Sequence, residues 1–327
     1  MPVKFEYTEE YLRTHRLGAI IVPPDPLARK FPHPTAEETA TYPASVDLRS
    51  HDAPIYDQGQ LGSCVAQVGA AVIEWLENYI ESSKYFLGSR LALYKWARDA
   101  DGTTGDVGTT SPTMVSVMTS KGVPHESLWP YDASQFDVEP PSSVVTDAAN
   151  NKSTASATVS SGAVDNIKAA LNTPLPVLFT FDVYPEYDAA GTNGGYIGIP
   201  GSGDTSRGGH ANVVVGYNDA LSNTDGSKGA FIVRNSWGTS WGANGYGYMP
   251  YAWATAGLMQ SAYVVSAESE LPAPGPAPGP TPNPQPGPAD ATAFAAFNEV
   301  DISDYLTKGH NGQPTPGRHT IVVFLQS

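Results

Sequence analysis

A single cysteine, Cys64, stands in a chain of 327 residues, so no intramolecular disulfide can form. Free cysteine is usually an inert buried hydrophobe, and only its neighbours can make it a reagent. Here they do. Asp57-Gln58-Gly59-Gln60-Leu61-Gly62-Ser63-Cys64 brings glycine backbone close to whatever sits at the sulfur. The stripe Val65, Val68, Val72, Trp75, Leu76 and Tyr79 then predicts a helix over 64–80 that opens on the cysteine. A helix N-terminus turns unpaired N–H groups and a positive dipole end toward the thiol, which favours a nucleophilic thiolate. Two further stretches stand out. Gly208-Gly209-His210-Ala211 sets a histidine at the mouth of an apolar strand, and Arg234-Asn235-Ser236-Trp237-Gly238-Thr239-Ser240-Trp241-Gly242 is followed by Gly245-Tyr246-Gly247.

Other chemistries are weaker. Gly238-Thr239-Ser240-Trp241-Gly242 is formally the GxSxG elbow of serine hydrolases, but glycine and tryptophan stand where that motif needs a strand and a helix. The remaining histidines (15, 33, 51, 125, 310 and 319) lie in loops or tails without ligand spacing such as HExxH, so no metal or cofactor is called for.

The elements that must position these residues change character along the chain. Residues 9–17 suit a short helix stopped by Gly18, and 20–26 must be extended because of Pro23, Pro24 and Pro26. From Tyr42 the texture is globular. Helices are expected over 64–80, 87–97, 112–120 and 163–171, with a Ser/Ala/Thr-rich surface crossing over 140–162. Strands are expected over 177–184, 211–217, 230–235, 246–250 and 262–266. Helices first and sheet second make an α+β chain of two lobes, with the cleft between them the place to look for a site.

Composition sets the outer limits. The chain has 33 acidic and 18 basic residues, a formal charge of −15, which argues against nucleic acid and against a basic membrane-surface protein. Apolar residues at 40% suffice for a real core. No apolar run is long enough for a bilayer span. The first twenty residues include Lys4, Glu6, Glu9, Glu10 and Arg13 and lack the core of a secretory signal, which leaves cytoplasmic residence, export by another route, or a chain that begins after a removed signal. Nine prolines alternate between Pro272 and Pro288, so 267–288 reads as a polyproline spacer. Residues 289–327 read as a small appendage that would struggle to fold alone without a disulfide or metal, and the readings are packing on the main domain, self-association or the start of something longer.

The three motifs in order resemble the papain-like cysteine peptidases. The resemblance extends to Pro43-Ala44-Ser45-Val46-Asp47-Leu48-Arg49, like the start of a mature peptidase domain, and to Leu128-Trp129-Pro130-Tyr131. It covers 43–266 and implies a helical lobe over about 43–139 and a β-barrel-like lobe over about 140–266. It also implies roles: Cys64 as nucleophile and His210 as its base, Asn235 orienting the imidazole, and Trp237 shielding that bond. Gln58, six residues before the cysteine (64 − 58), and the Cys64 backbone N–H would form the oxyanion hole, with Ser63 and Gly209 as supporting neighbours. Gly108 and Thr109 would bind substrate backbone, and Ser261 would floor the S2 pocket, predicting apolar side chains at P2. The substrates would be peptides or proteins.

This chain departs from the family pattern at Leu61, where a disulfide cysteine usually stands, at Val65, where tryptophan is usual, and at Gly209, where an acidic residue is common. These fit a disulfide-free, microbial branch. Residues 1–42 read as a short pro-like segment that covers the cleft, running through it backwards as pro-segments of the family do; the competing reading is a surface-packed arm. A thioester transferase or peptide ligase would use the same residues as a hydrolase, and a non-catalytic binding protein could keep the fold. Oligomeric state is not encoded in any of these motifs.

Overall fold

The computed structural model describes residues 7–23 and 27–267; of the spacer and appendage expected over 267–327 all but residue 267, which ends a strand, lie outside the described residues, as do Pro24, Asp25 and Pro26. After the lead helix α1 (Glu9–Thr14) and the single turn α2 (Ala36–Thr39), strand β1 (Ser45–Asp47) opens the domain. Helix α3 (Cys64–Ile80) follows and packs against α4 (Arg90–Ala100) and α5 (Ser111–Ser120). Residues 64–77 of α3 are all buried, because the helix is covered by its neighbour helices on one side and by the sheet on another. Ser89 and Thr110 cap α4 and α5 through their side-chain oxygens, so both helices start where a hydroxyl can take a free N–H.

The second half is sheet. After α6 (Ser142–Ala148) come β2 (Ser153–Thr158), α7 (Val164–Asn172), β3 (Val177–Asp182) and α8 (Pro185–Ala190). Strands β4 (Gly209–Ser222), β5 (Lys228–Arg234) and β6 (Tyr246–Pro250), helix α9 (Ala252–Thr255) and β7 (Met259–Ala267) complete the described chain. Strand order is β2-β7-β3-β4-β5-β6, all pairs antiparallel. The path is open: β2 and β6 do not pair with each other, so the lobe expected to be barrel-like is an open sheet. The 14-residue β4 shares one edge between two partners, β3 along 209–214 and β1 along 216–218. It also packs on α3. The strand that starts at the histidine and the helix that starts at the cysteine are therefore in direct contact, which makes this the α+β two-lobed arrangement expected.

Two local expectations are corrected. Residues 140–162 are no mere crossing: α6 buries Val144 and Ala148 one turn apart, and β2 adds to the sheet by pairing with β7. Strand β2 carries small Ser, Thr and Ala in place of alternating large apolar residues, so the period-2 signal is absent and tertiary pairing decides. The lead helix ends at Thr14, three residues short of the expected end. No helix of the described residues is long and apolar enough to cross a membrane.

Candidate active site

The nucleophile position is set by chain direction. Because α3 begins at Cys64, the N–H groups of Cys64 and Val65 have no carbonyl within the helix to bond. The sulfur lies against the backbone N–H groups of Ala211, Gly18, Val65 and Cys64 itself. Those donors favour a thiolate, yet complete burial outweighs them and pushes the thiol up to about 12.

His210 comes from the start of β4, fully buried, with its ring stacked on Trp237 at 4.5 Å between centroids. Its Nε2 lies 2.8 Å from Asn235 Oδ1. That oxygen also accepts the Ser236 N–H at 2.7 Å, so it is an acceptor and Nε2 must carry the proton. The lone pair is thereby left on Nδ1, which has no hydrogen-bond partner. Burial lowers the imidazole to about 3. Thiol and imidazole are thus both neutral in this state, and burial causes both shifts.

Gln58 is buried beside them. Its Oε1 accepts from Ser236 Oγ at 2.7 Å, while Nε2 donates to Leu61 O at 2.9 Å and to Arg16 O at 3.0 Å. Tyr131 supports the same loop: its hydroxyl is 2.6 Å from Ser63 Oγ and donates to Gln58 O at 3.0 Å. Cys64, His210, Asn235, Gln58, Ser63 and Trp237 thus converge on one place. Ser236 and the role of Tyr131 escaped the sequence reading, because neither acts through its sequence neighbours alone.

The burial has a visible source. Residues 16–22 run through the cleft as an extended strand. Thr109 donates its N–H to Gly18 O at 3.0 Å and accepts from Ile20 N at 2.9 Å, a parallel bridge. Ala19 N donates to Gly209 O at 3.1 Å, and Ser261 Oγ donates to Val22 O at 2.8 Å. Thr109 and Gly209 therefore meet the strand through their backbones, while the Thr109 hydroxyl is turned away to Asp101. The fit leaves no room for side chains at the crossing point: a Cβ on Gly18 would lie 1.8 Å from Gly62 O, and one on Gly108 only 2.1 Å from Gly18 O.

Upstream, α1 is clamped beside Trp237. Asp188, wholly buried, accepts from Tyr7 and Tyr11 hydroxyls at 2.9 and 2.7 Å and from Arg207 Nε and Nη2 at 2.9 and 2.8 Å. Arg207 Nη1 reaches His15 O at 3.1 Å. His15, which looks in the sequence like a plain loop histidine, stacks on Tyr11 and meets Trp237 edge-on. No motif announced Asp188 or Arg207.

Known proteins supply an independent comparison. The family model described as papain family cysteine protease matches residues 42–266. An uncharacterized peptidase C1-like protein of Acanthamoeba polyphaga mimivirus is 32% identical over 221 residues, covering 65% of this chain and 69% of the viral protein. Chymopapain of Carica papaya is 29% identical over 218 residues, and this chain spans 56% of its length. Among solved structures, xylellain, a cysteine protease from Xylella fastidiosa, superposes with a TM-score of 0.67 at 30% identity, over 76% of this chain and 95% of that one. Digestive procathepsin L 3 of Tenebrio molitor shares the fold at a TM-score of 0.60 and 21% identity, over 79% of this chain and 78% of that one. With a family model spanning more than half the chain, the chain belongs to the papain family of cysteine proteases.

Proposed function

We propose that the chain is a cysteine endopeptidase in a latent state, with residues 43–266 as the peptidase domain and the segment before it as its inhibitor. The observation that carries this reading is the strand over residues 16–22, which takes the hydrogen-bonding groups a substrate needs: Gln58 Nε2, both backbone groups of Thr109, Gly209 O and Ser261 Oγ. Its direction would make it a poor substrate. The residue at the nucleophile is Gly18 and the one at Ser261 is Val22, so the chain leaves the nucleophile toward Ser261 as its numbering rises. With Ser261 at P2, a productive substrate runs the opposite way.

When the strand leaves, water reaches Cys64 and His210, and the burial that keeps both neutral is relieved. Nδ1 of His210 takes the thiol proton. The thiolate attacks the substrate carbonyl, whose oxygen takes the place of Arg16 O on Gln58 Nε2 and gains the Cys64 N–H. His210 then protonates the leaving amine, and the acyl-thioester is released when water, deprotonated by the same nitrogen, attacks it. Asn235 holds the ring in the required tautomer throughout, and Ser261 at φ 41° offers a small uncharged floor suited to apolar P2 side chains. The test compares the full chain with one starting near Tyr42 on a fluorogenic peptide. Equal kcat/KM and equal labelling by an active-site epoxide would mean that the segment is only structural. Product analysis in the presence of a competing amine separates hydrolysis from transfer.

A further inference from the structure

We infer that Asp106 selects the side chain on the acyl side of the scissile bond, favouring arginine or lysine at P1; this rests on the peptidase reading of Cys64. Asp106 Oδ1 accepts the Gly62 N–H at 2.8 Å and the Tyr94 hydroxyl at 2.6 Å. Tyr94 in turn accepts the Gly108 N–H at 3.1 Å. With Leu61 and no disulfide in this loop, these bonds tie the nucleophile loop to the 105–109 loop and fix the carboxylate between them.

That position follows the logic of the cleft. Cys64 attacks the P1 carbonyl and Thr109 takes the P2 backbone, so the P1 side chain emerges between their two loops, where Gly62 and Asp106 form the wall. Arg98, the cation held by the 105–109 loop, is committed elsewhere: its Nη1 donates to Gly105 O and to Asp137, both at 2.7 Å.

The chain's own segment, although it runs opposite to a substrate, shows that a cation next to the oxyanion donor can reach this carboxylate. Arg16 puts its carbonyl on Gln58 Nε2 and its guanidinium 3.5 Å from Asp106 Oδ2. One residue thus brings a carbonyl to the oxyanion donor and a cation to this carboxylate. The carboxylate keeps 19% of its surface and the arginine 48%, so solvent screens the pair and the selectivity is modest, about three- to tenfold.

The experiment uses the full chain and three acyl-dipeptide coumarylamides that differ only in P1: arginine, leucine and glutamate. All three need the same open cleft, so the fraction of open molecules cancels from the ratios of kcat/KM. Arginine is expected to exceed leucine about three- to tenfold and glutamate to fall below it. In Asp106→Asn, which keeps an oxygen to accept the Gly62 and Tyr94 bonds, the arginine-to-leucine ratio should fall toward one and the glutamate-to-leucine ratio should rise. A merely structural role would lower all three rates together. Ratios unmoved by Asp106→Asn overturn the P1 assignment while leaving the peptidase reading in place. No turnover of any of the three, by this chain or its Gly18→Ala variant, overturns the peptidase reading and this inference with it.

Discussion

Ser236 bonds Gln58 through its hydroxyl, Oγ to Oε1 at 2.7 Å, while its own N–H holds Asn235 Oδ1 at 2.7 Å. One residue therefore holds both the Gln58 amide, proposed to face the substrate oxygen, and the Asn235 amide bonded to His210. Ser236→Ala leaves the backbone bond and removes the Oε1 anchor of Gln58, whose Nε2 keeps only its bonds to carbonyl oxygens. The expected result is a fall in kcat of about tenfold with KM within about twofold, because the donor is needed most in the transition state. Combined with Gln58→Ala the loss should be less than the product of the two, since both act through one group. Full additivity would separate the two residues.

Cys64→Ala and His210→Ala should each abolish turnover, whereas Gln58→Ala should retain a residue of activity, about 100-fold to 1,000-fold below the unmodified chain. On the proposed mechanism nucleophile and base work as a unit, while a second oxyanion donor survives the loss of the first. Turnover by the Cys64→Ala protein near the normal rate would sink the assignment of the site.

Gly18→Ala tests the strand without deleting it. The added methyl would stand 1.8 Å from the Gly62 carbonyl oxygen, a backbone atom that cannot yield. The strand must lift, so the full-length variant should be at least about tenfold more active than the unmodified full chain on the same fluorogenic peptide. An unchanged rate would show that the strand is displaced at no cost by substrate.

The two buried shifts predict a pH signature. While the strand is in place, burial pushes the Cys64 thiol up to about 12 and His210 down to about 3, so thiol and imidazole remain neutral across ordinary pH. Alkylation of Cys64 by iodoacetamide in the full chain should therefore climb with pH from 5 to 9 without a plateau. In Gly18→Ala the exposed pair can ionise by proton transfer, and the rate should already be level by neutral pH. A plateau in the unmodified chain would refute the link between burial and latency.

Stability should have its own pH dependence, centred on α3. Glu74 is fully buried against the Tyr56 hydroxyl at 2.6 Å and the Gly88 N–H at 2.7 Å, and burial raises its carboxyl to about 7. The folded state thus binds a proton that the unfolded chain releases near its ordinary value of 4.5, so this group's contribution falls as pH rises from 4.5 to 7. Glu74→Gln keeps an acceptor for both bonds and removes the ionisation. Denaturant melts should show the variant more stable than the unmodified protein at pH 8 by on the order of 2 kcal/mol, and near parity at pH 4. A deficit at pH 8 with parity at pH 4 would mean that the charge is stabilising.

What could be read in advance depended on whether the signal was local. Helix α3 carried an unbroken apolar stripe and was legible to the residue, as was β6 with its Gly-bounded Tyr and Met. Strand β2 was not, since Ser153 to Thr158 becomes a strand only by pairing with β7, more than a hundred residues on. The same distinction holds at the site. Cys64, His210, Asn235 and Gln58 sit in short motifs whose local pattern singled them out, and the structure brings them together. The clamp of Tyr7 and Tyr11 on Asp188 joins residues 181 and 177 positions apart, and no spacing rule reaches that far.

The lead segment is also fastened beyond the cleft. Phe31, 2% exposed, donates its N–H to Thr158 O at 2.8 Å, and Asn166 Nδ2 reaches Pro32 O at 2.7 Å. From Val22 to Phe31 is a span of 31 − 22 = 9 residues, so a lifted strand stays on a short leash. Its local concentration at the cleft is on the order of millimolar, whatever the concentration of protein. A free peptide copying residues 7–23 would have to reach that level to match it. If the segment inhibits as proposed, a substrate would compete against that local level until the leash itself is cut.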